Sequence, residues 1–258
     1  MTSQMTSLFL VALATAFGVS AQSISQQCSQ TLTQIAFNST SACLSPSSLI
    51  PLLSSSNASL VDGLDTWISS ACSTGPCSND SLAAIVTNVT SGCGTELNAL
   101  GFSSDDTPLL ISTVQKFYPT VRQVVCLKDG STNCVTEILS DIQTALGTTL
   151  TVSSVPGLIS TGNVSLPNSA LCSNCVKAAY STVNSAAPGL LSSSDQSALQ
   201  QQCGSSFTDG TVPSGIVESA SNSSTSNNNN GALDAMSGNA FGIGASVLLV
   251  VGSALAML

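Results

Sequence analysis

The sequence predicts an all-α, disulfide-stapled ectodomain on three grounds. Apolar side chains recur at i, i+3 and i+4 along most of the chain, while the alternation of a half-buried strand does not recur. The chain opens with a leader of secretory type, so the residues after it mature in an oxidising compartment. Its ten cysteines, Cys28, Cys43, Cys72, Cys77, Cys93, Cys126, Cys134, Cys172, Cys175 and Cys203, all lie between that leader and a C-terminal apolar run. An even count there implies five bridges, and the pairings open to ten cysteines number on the order of 900, so spacing alone selects none of them.

Residues 1–21 read as a signal peptide. The apolar run from Leu8 to Phe17 is too short to cross a hydrocarbon core roughly 30 Å thick, and Val19 and Ala21 supply the small residues required before a cut after Ala21. The mature ectodomain is expected over 22–212. Cys28, Leu32, Ile35 and Ala36 form a first stripe, and Leu60, Val61, Leu64, Trp67, Ile68 and Ala71 a second. Leu82, Ile85, Val86, Val89 and Cys93 continue the pattern, with Ser78 or Asn79 as N-cap and Gly94 as the stop. Thr107 and Pro108 make an N-cap and first-turn pair ahead of Leu109, Leu110, Ile111, Val114 and Phe117. Pro119 is expected to kink or divide the helix that resumes through Val121, Val124 and Val125.

Cys134, Ile138, Leu139, Ile142 and Leu146 predict a further helix closed by Gly147. Residues 148–167 read as a long connection. Leu171, Cys175, Val176, Ala179 and Val183 predict the next helix, ended by Pro188 and Gly189, and a short last one runs from about Ser193 to Cys203. Both Cys72 to Cys93 and Cys172 to Cys203 pair cysteines with a helix and end in Cys-Gly, an echo that two related helical halves, 23–104 and 105–212, would explain. Residues 213–230, ending in four asparagines, read as a flexible Ser/Asn-rich stalk.

The apolar run from Phe241 to Leu258 has no Lys or Arg after it, which argues against a spanning helix with a basic flank. It fits a glycosylphosphatidylinositol (GPI) attachment signal instead: a small-residue triplet Asn230, Gly231 and Ala232, a polar spacer from Leu233 to Ala240, and the tail. Asn230 is the expected attachment residue, with 231–258 removed as a propeptide. Between the two cuts, 12 carboxylates face 4 cations, for a net charge of about −8. Six sequons, at Asn38, Asn57, Asn79, Asn88, Asn163 and Asn222, are candidate N-glycosylation sites and mark expected surface.

Composition excludes much familiar chemistry. Charged residues are only 7% of the chain, against about 25% in an ordinary soluble domain. With four cations and no His, a nucleic-acid partner is not expected, nor a Ser/His or Cys/His nucleophile, nor a His-containing zinc site. No cofactor and no metal are expected. The Cys172-Ser-Asn-Cys175 motif reads as structural: on a helix its sulfurs would sit one turn apart and reach different neighbouring segments. The carboxylate pairs Asp62 with Asp65 and Glu137 with Asp141 each share a helix face and are the candidates for acid/base work, although solvated helix surface is where such acids ordinarily sit.

The stretch Leu171-Cys172-Ser173-Asn174-Cys175-Val176-Lys177, with Cys203-Gly204-Ser205-Ser206-Phe207-Thr208-Asp209-Gly210 downstream, resembles an uncharacterised family of fungal secreted, Cys-rich, GPI-anchored surface proteins. The resemblance implies a fungal plasma-membrane or cell-wall address and carries over no catalytic residue. In layout, Ile68 through Cys72, Cys77 and Cys93 resembles the helices joined by cysteines of elicitins, which have six cysteines in a smaller domain. The compact eight-cysteine spacing of CFEM modules and the adjacent cysteine pairs of hydrophobins are absent.

Three functions stand as expectations. The first is a non-enzymatic GPI-anchored cell-surface or cell-wall glycoprotein with a structural, adhesive or protective role, its partners the membrane through the lipid and wall polysaccharide. The second is an extracellular carrier of a sterol or other small apolar ligand. The third is a carboxylate-dependent glycosidase.

Overall fold

In the computed structural model, the described residues are 24–221, apart from 54, 56 and 155–166. The fold is mostly helical, with 69% of the described residues in helix and 5% in strand, and is stapled by five disulfides. The leader, the segment around Asn163, and everything from Asn222 onward, including Asn230 and the apolar tail, lie outside the described residues.

Helix α1 (Gln26–Phe37) starts where the Ser25 hydroxyl accepts from the Cys28 amide. Two 3₁₀ turns, Ser39–Leu44 and Pro46–Leu49, lead into the short α2 (Ile50–Leu53). Helix α3 (Leu60–Ser73) is capped by Ser59, and α4 (Asn79–Gly92) by Ser78, one of the two residues the pattern allows. Gly94 does not end the helical course there. It opens a short α5 (Gly94–Ala99), because Cys93 alone breaks the dihedrals between the two helices.

Helix α6 spans Thr107–Val125. Asp106 occupies the N-cap position, one residue earlier than expected, and Pro119 leaves the helix continuous. Its ring is exposed, so the Gln115 carbonyl that loses its partner can turn to water. Leu109, placed in the apolar stripe by its spacing, is half exposed at 50%.

Next comes a hairpin that helical periodicity misses. Strands β1 (Leu127–Asp129) and β2 (Thr132–Asn133) pair antiparallel through Lys128–Asn133 and Asp129–Thr132. The loop is Gly130-Ser131, with Gly130 at φ +58°, a glycine-first two-residue hairpin. Helix α7 (Cys134–Leu146) comes immediately after it, its N-terminus held by the Asn133 side chain and its end by Gly147 at φ +65°. The connection beyond α7 is not wholly loose: Leu150 is buried and its carbonyl accepts from the Leu60 amide at 2.9 Å.

A short α8 (Asn168–Leu171) precedes α9 (Asn174–Ala186) and α10 (Ser193–Cys203). Lys177 of α9 meets Asp209 at 3.1 Å, and Asp209 is held down to about 2 by hydrogen bonds from the Thr211 hydroxyl and amide together with Lys177. The last strand, β3 (Ile216–Glu218), adds to the other edge of β1 in the order β2-β1-β3. This corrects the expected stalk boundary. Residues 213–221 are bonded to the domain, with Ile216 packed on one core cluster, Ala220 on another, and the Ser221 amide donating to the Cys72 carbonyl at 2.7 Å.

Among the described residues, two core clusters result. Leu49, Leu52, Leu60, Leu64, Ile68, Cys72, Cys126, Val135 and Leu150 form one, while Leu127, Cys134, Cys175, Ala178 and Ala179 form the other. The bridges are Cys28–Cys93, Cys43–Cys77, Cys72–Cys126, Cys134–Cys175 and Cys172–Cys203. The cysteines of the internal echo are not equivalent: Cys72 and Cys93 bond to different partners, whereas Cys172 and Cys203 bond to each other. Nor does the 104/105 boundary separate two bodies, since α4 packs on α6 and Cys72–Cys126 crosses it. The two sulfurs of the C-x-x-C do reach different segments, but not from one helix. Cys172 ends α8 and Ser173 caps α9, which puts a break between them.

Candidate functional site

The start of α3, the β1–β2 turn and the first half of α7 enclose an open cleft of about 490 Å³. Helix α3 contributes Val61, Asp62, Asp65 and Thr66, four residues from its first two turns. The hairpin contributes Ser131 and Thr132, and α7 contributes Thr136 and Ser140, one turn apart on one face. Core contacts of Leu60 and Leu64 beneath α3 with Val135 and Leu139 on α7 set the two helices side by side. The polar rows of the two helices therefore stand over that apolar seam.

The lining consists of two carboxylates, five hydroxyls and a single apolar side chain. Thr136 Oγ1 donates to the Asn133 carbonyl at 3.0 Å and lies 3.3 Å from Asp65 Oδ1, so its single proton is shared between its own helix start and the α3 carboxylate. Asp62 stands in the first turn of α3, where the helix dipole favours an anion. Trp67 takes no part. Its Nε1 donates to the Leu44 carbonyl at 2.8 Å and its ring packs against the core.

The second predicted pair lies elsewhere. Glu137 and Asp141 lie on α7 outside the cleft lining, and Glu137 Oε2 lies 3.5 Å from Cys175 Sγ of α9, with Asp129 also close. Burial pushes the Glu137 carboxyl above its ordinary range, and the charges of Asp129 and Asp141 push the same way. The folded state thus keeps this proton to higher pH than the unfolded chain does, and the associated stability is lost as pH rises through the folded value. Glu137→Gln is expected to raise the melting temperature at neutral pH by a few degrees, despite forfeiting a favourable first-turn charge. The gain should vanish below about pH 4, where the carboxyl is neutral in both states. Thermal melts of both proteins across that range check it.

Two groupings among the described residues bring acids and sulfurs within 4.8 Å of one another: Cys28, Cys93 and Glu96, and Asp129, Glu137 and Cys175. In both, the sulfurs are committed to disulfides, which supply no thiolate to a metal.

Of the sequons, Asn38, Asn57, Asn79 and Asn88 are all exposed, as glycan attachment requires. The Asn38 side-chain oxygen accepts from the Thr40 amide at 2.9 Å. Asn163 and Asn222 lie outside the described residues. No helix among the described residues is long and apolar enough to cross a membrane.

Sequence reasoning singles out Asp62 and Asp65 but not the hydroxyl groups facing them. The one signal for those is Gly130-Ser131 between Leu127-Lys128-Asp129 and Thr132-Asn133, a two-residue hairpin pattern that brings Ser131 and Thr132 to a turn. Compared with known proteins, the chain matches no family model, no curated protein and no solved structure.

Proposed function

We propose that the chain is a non-enzymatic glycoprotein of the cell surface, carried by a GPI lipid on the outer face of the plasma membrane or in the cell wall, with a structural, adhesive or protective role. The observation that carries this reading is the engagement of all ten cysteines in bridges, with none left free. Such a domain belongs in an oxidising compartment, and the leader-like 1–21 segment fits the same address. Exposure of all four described sequons supports a glycosylated outer surface. The GPI-like C-terminal pattern and the resemblance of the 171–177 and 203–210 stretches to fungal surface proteins supply the anchor and the walled cell.

A lipid carrier draws less support. The apolar stripe it would need for a cavity, Leu60, Leu64 and Ile68, is spent on the core, each residue no more than 2% exposed. To test the surface reading, the full chain is expressed in a walled secretory host and intact cells are treated with phosphatidylinositol-specific phospholipase C, then with wall glucanases. Release into the medium by either enzyme is expected. Resistance to both, with extraction only by detergent as an integral protein, would overturn it.

A further inference from the structure

We infer that the cleft between α3, the β1–β2 turn and α7 is a binding site for a neutral sugar, engaged through adjacent hydroxyl groups. The inference deepens the adhesive form of the proposed function and rests on that reading only for its biological setting.

Three observations carry it. The cleft is open to solvent and about 490 Å³, a volume large enough for a hexose unit or two. Its lining is almost wholly hydrogen-bonding, and no Lys or Arg contributes to it, so the ligand has to donate many hydrogen bonds and cannot be a polyanion. Carboxylates accept from two donors at once, as adjacent sugar hydroxyls offer. The Ser131, Thr132 and Ser140 hydroxyls can both donate and accept, while those of Thr66 and Thr136 donate to the Asp62 and Asn133 carbonyls and keep only acceptor capacity.

Geometry favours a sugar over an ion. Thr136 and Ser140 are four residues apart on α7, a rise of about 6 Å, and Asp62 and Thr66 are matched on α3, so the two polar rows extend over about the length of one pyranose ring. Asp62 and Asp65 belong to no group of three ligating side chains among the described residues, whereas divalent cations of the calcium type need six or more oxygens. With Val61 the only apolar surface and no aromatic ring to stack on, a single site should bind weakly. Many copies anchored on one surface would convert that into adhesion by avidity.

The full chain, solubilised in detergent from the secretory host, is titrated with neutral hexose oligomers (glucan and mannan fragments) by saturation-transfer NMR, with and without a chelator. The expected result is binding in about the millimolar range that survives the chelator. Binding should fall at least about tenfold in the Asp62→Ala/Asp65→Ala variant, whose exposed positions leave the core intact. Absence of binding to every oligomer, binding unchanged in the variant, or binding abolished by the chelator would each overturn the inference. Surface release is measured separately, so failure here leaves the anchor reading standing, and the reverse holds too.

Discussion

Arg122→Ala is expected to cost about 2–4 kcal/mol, since hydrogen bonds from a charged donor contribute about 1.5–3 kcal/mol each and are not additive. Helix α3 ends at Ser73, and a helix leaves its last four carbonyls without partners inside it. Arg122, reaching across from α6, donates to the Ala71 carbonyl at 2.8 Å, to that of Cys72 at 3.4 Å, and to that of Thr74. Its positive charge also lies at the negative end of the helix dipole. Truncation strands the carbonyls of Ala71 and Thr74, that of Cys72 keeping the Ser221 amide, and removes the polar tie between α3 and α6 in one step. For a domain of this size the melting temperature should fall by about 5–15 °C. Lysine restores the charge but not the planar fork, so Arg122→Lys should recover only part of the loss. Denaturant melts of the three proteins decide it, and an alanine variant as stable as the parent would show that the carbonyls find water instead.

The second large effect is expected from Cys72→Ala with Cys126→Ala, at about 2–5 kcal/mol. The bridge closes a separation of 54 residues, and both cysteines are buried, at 4% and 1%, in the larger core cluster. Its loss therefore combines freer unfolded chain with missing volume where α3 meets the end of α6. Removing Cys172–Cys203, which closes 31 residues and ties α8 to α10 at the edge, should cost less. Chemical denaturation of the two double variants gives the order directly. A difference of no more than about 0.5 kcal/mol, which the loop lengths alone give, would mean that burial adds nothing to the Cys72–Cys126 bridge.

Helices α1, α3, α4, α7 and α9 were legible because each places apolar side chains against the core and starts on a serine or asparagine side chain. Leu60, Leu64 and Ile68 behind Ser59 show the pattern most clearly. The small sheet was not, for a physical reason. Strands of two or three residues are too short to alternate, and β3 is held by backbone pairing that composition does not register. Ile216 and Ala220 therefore read as part of a polar stalk although they pack on the domain. The bridges were legible as a count and not as a map, because pairing depends on where helices cross. The cleft was half legible: Asp62 and Asp65 share a helix face in any reading, but Thr136 and Ser140 join them only through the packing of α7 on α3.

The surface reading turns on what the mature chain is. The direct measurement is peptide mass spectrometry of the protein purified from the surface of the host cell, with and without enzymatic removal of N-linked glycans. The predicted result is an N-terminal peptide beginning at Gln22, hexose-bearing peptides covering the exposed asparagines Asn38, Asn57, Asn79 and Asn88, and a last peptide ending at Asn230 with an ethanolamine-linked glycolipid remnant. A chain that retains Met1, or one whose final peptide runs unmodified through Leu258, would contradict it.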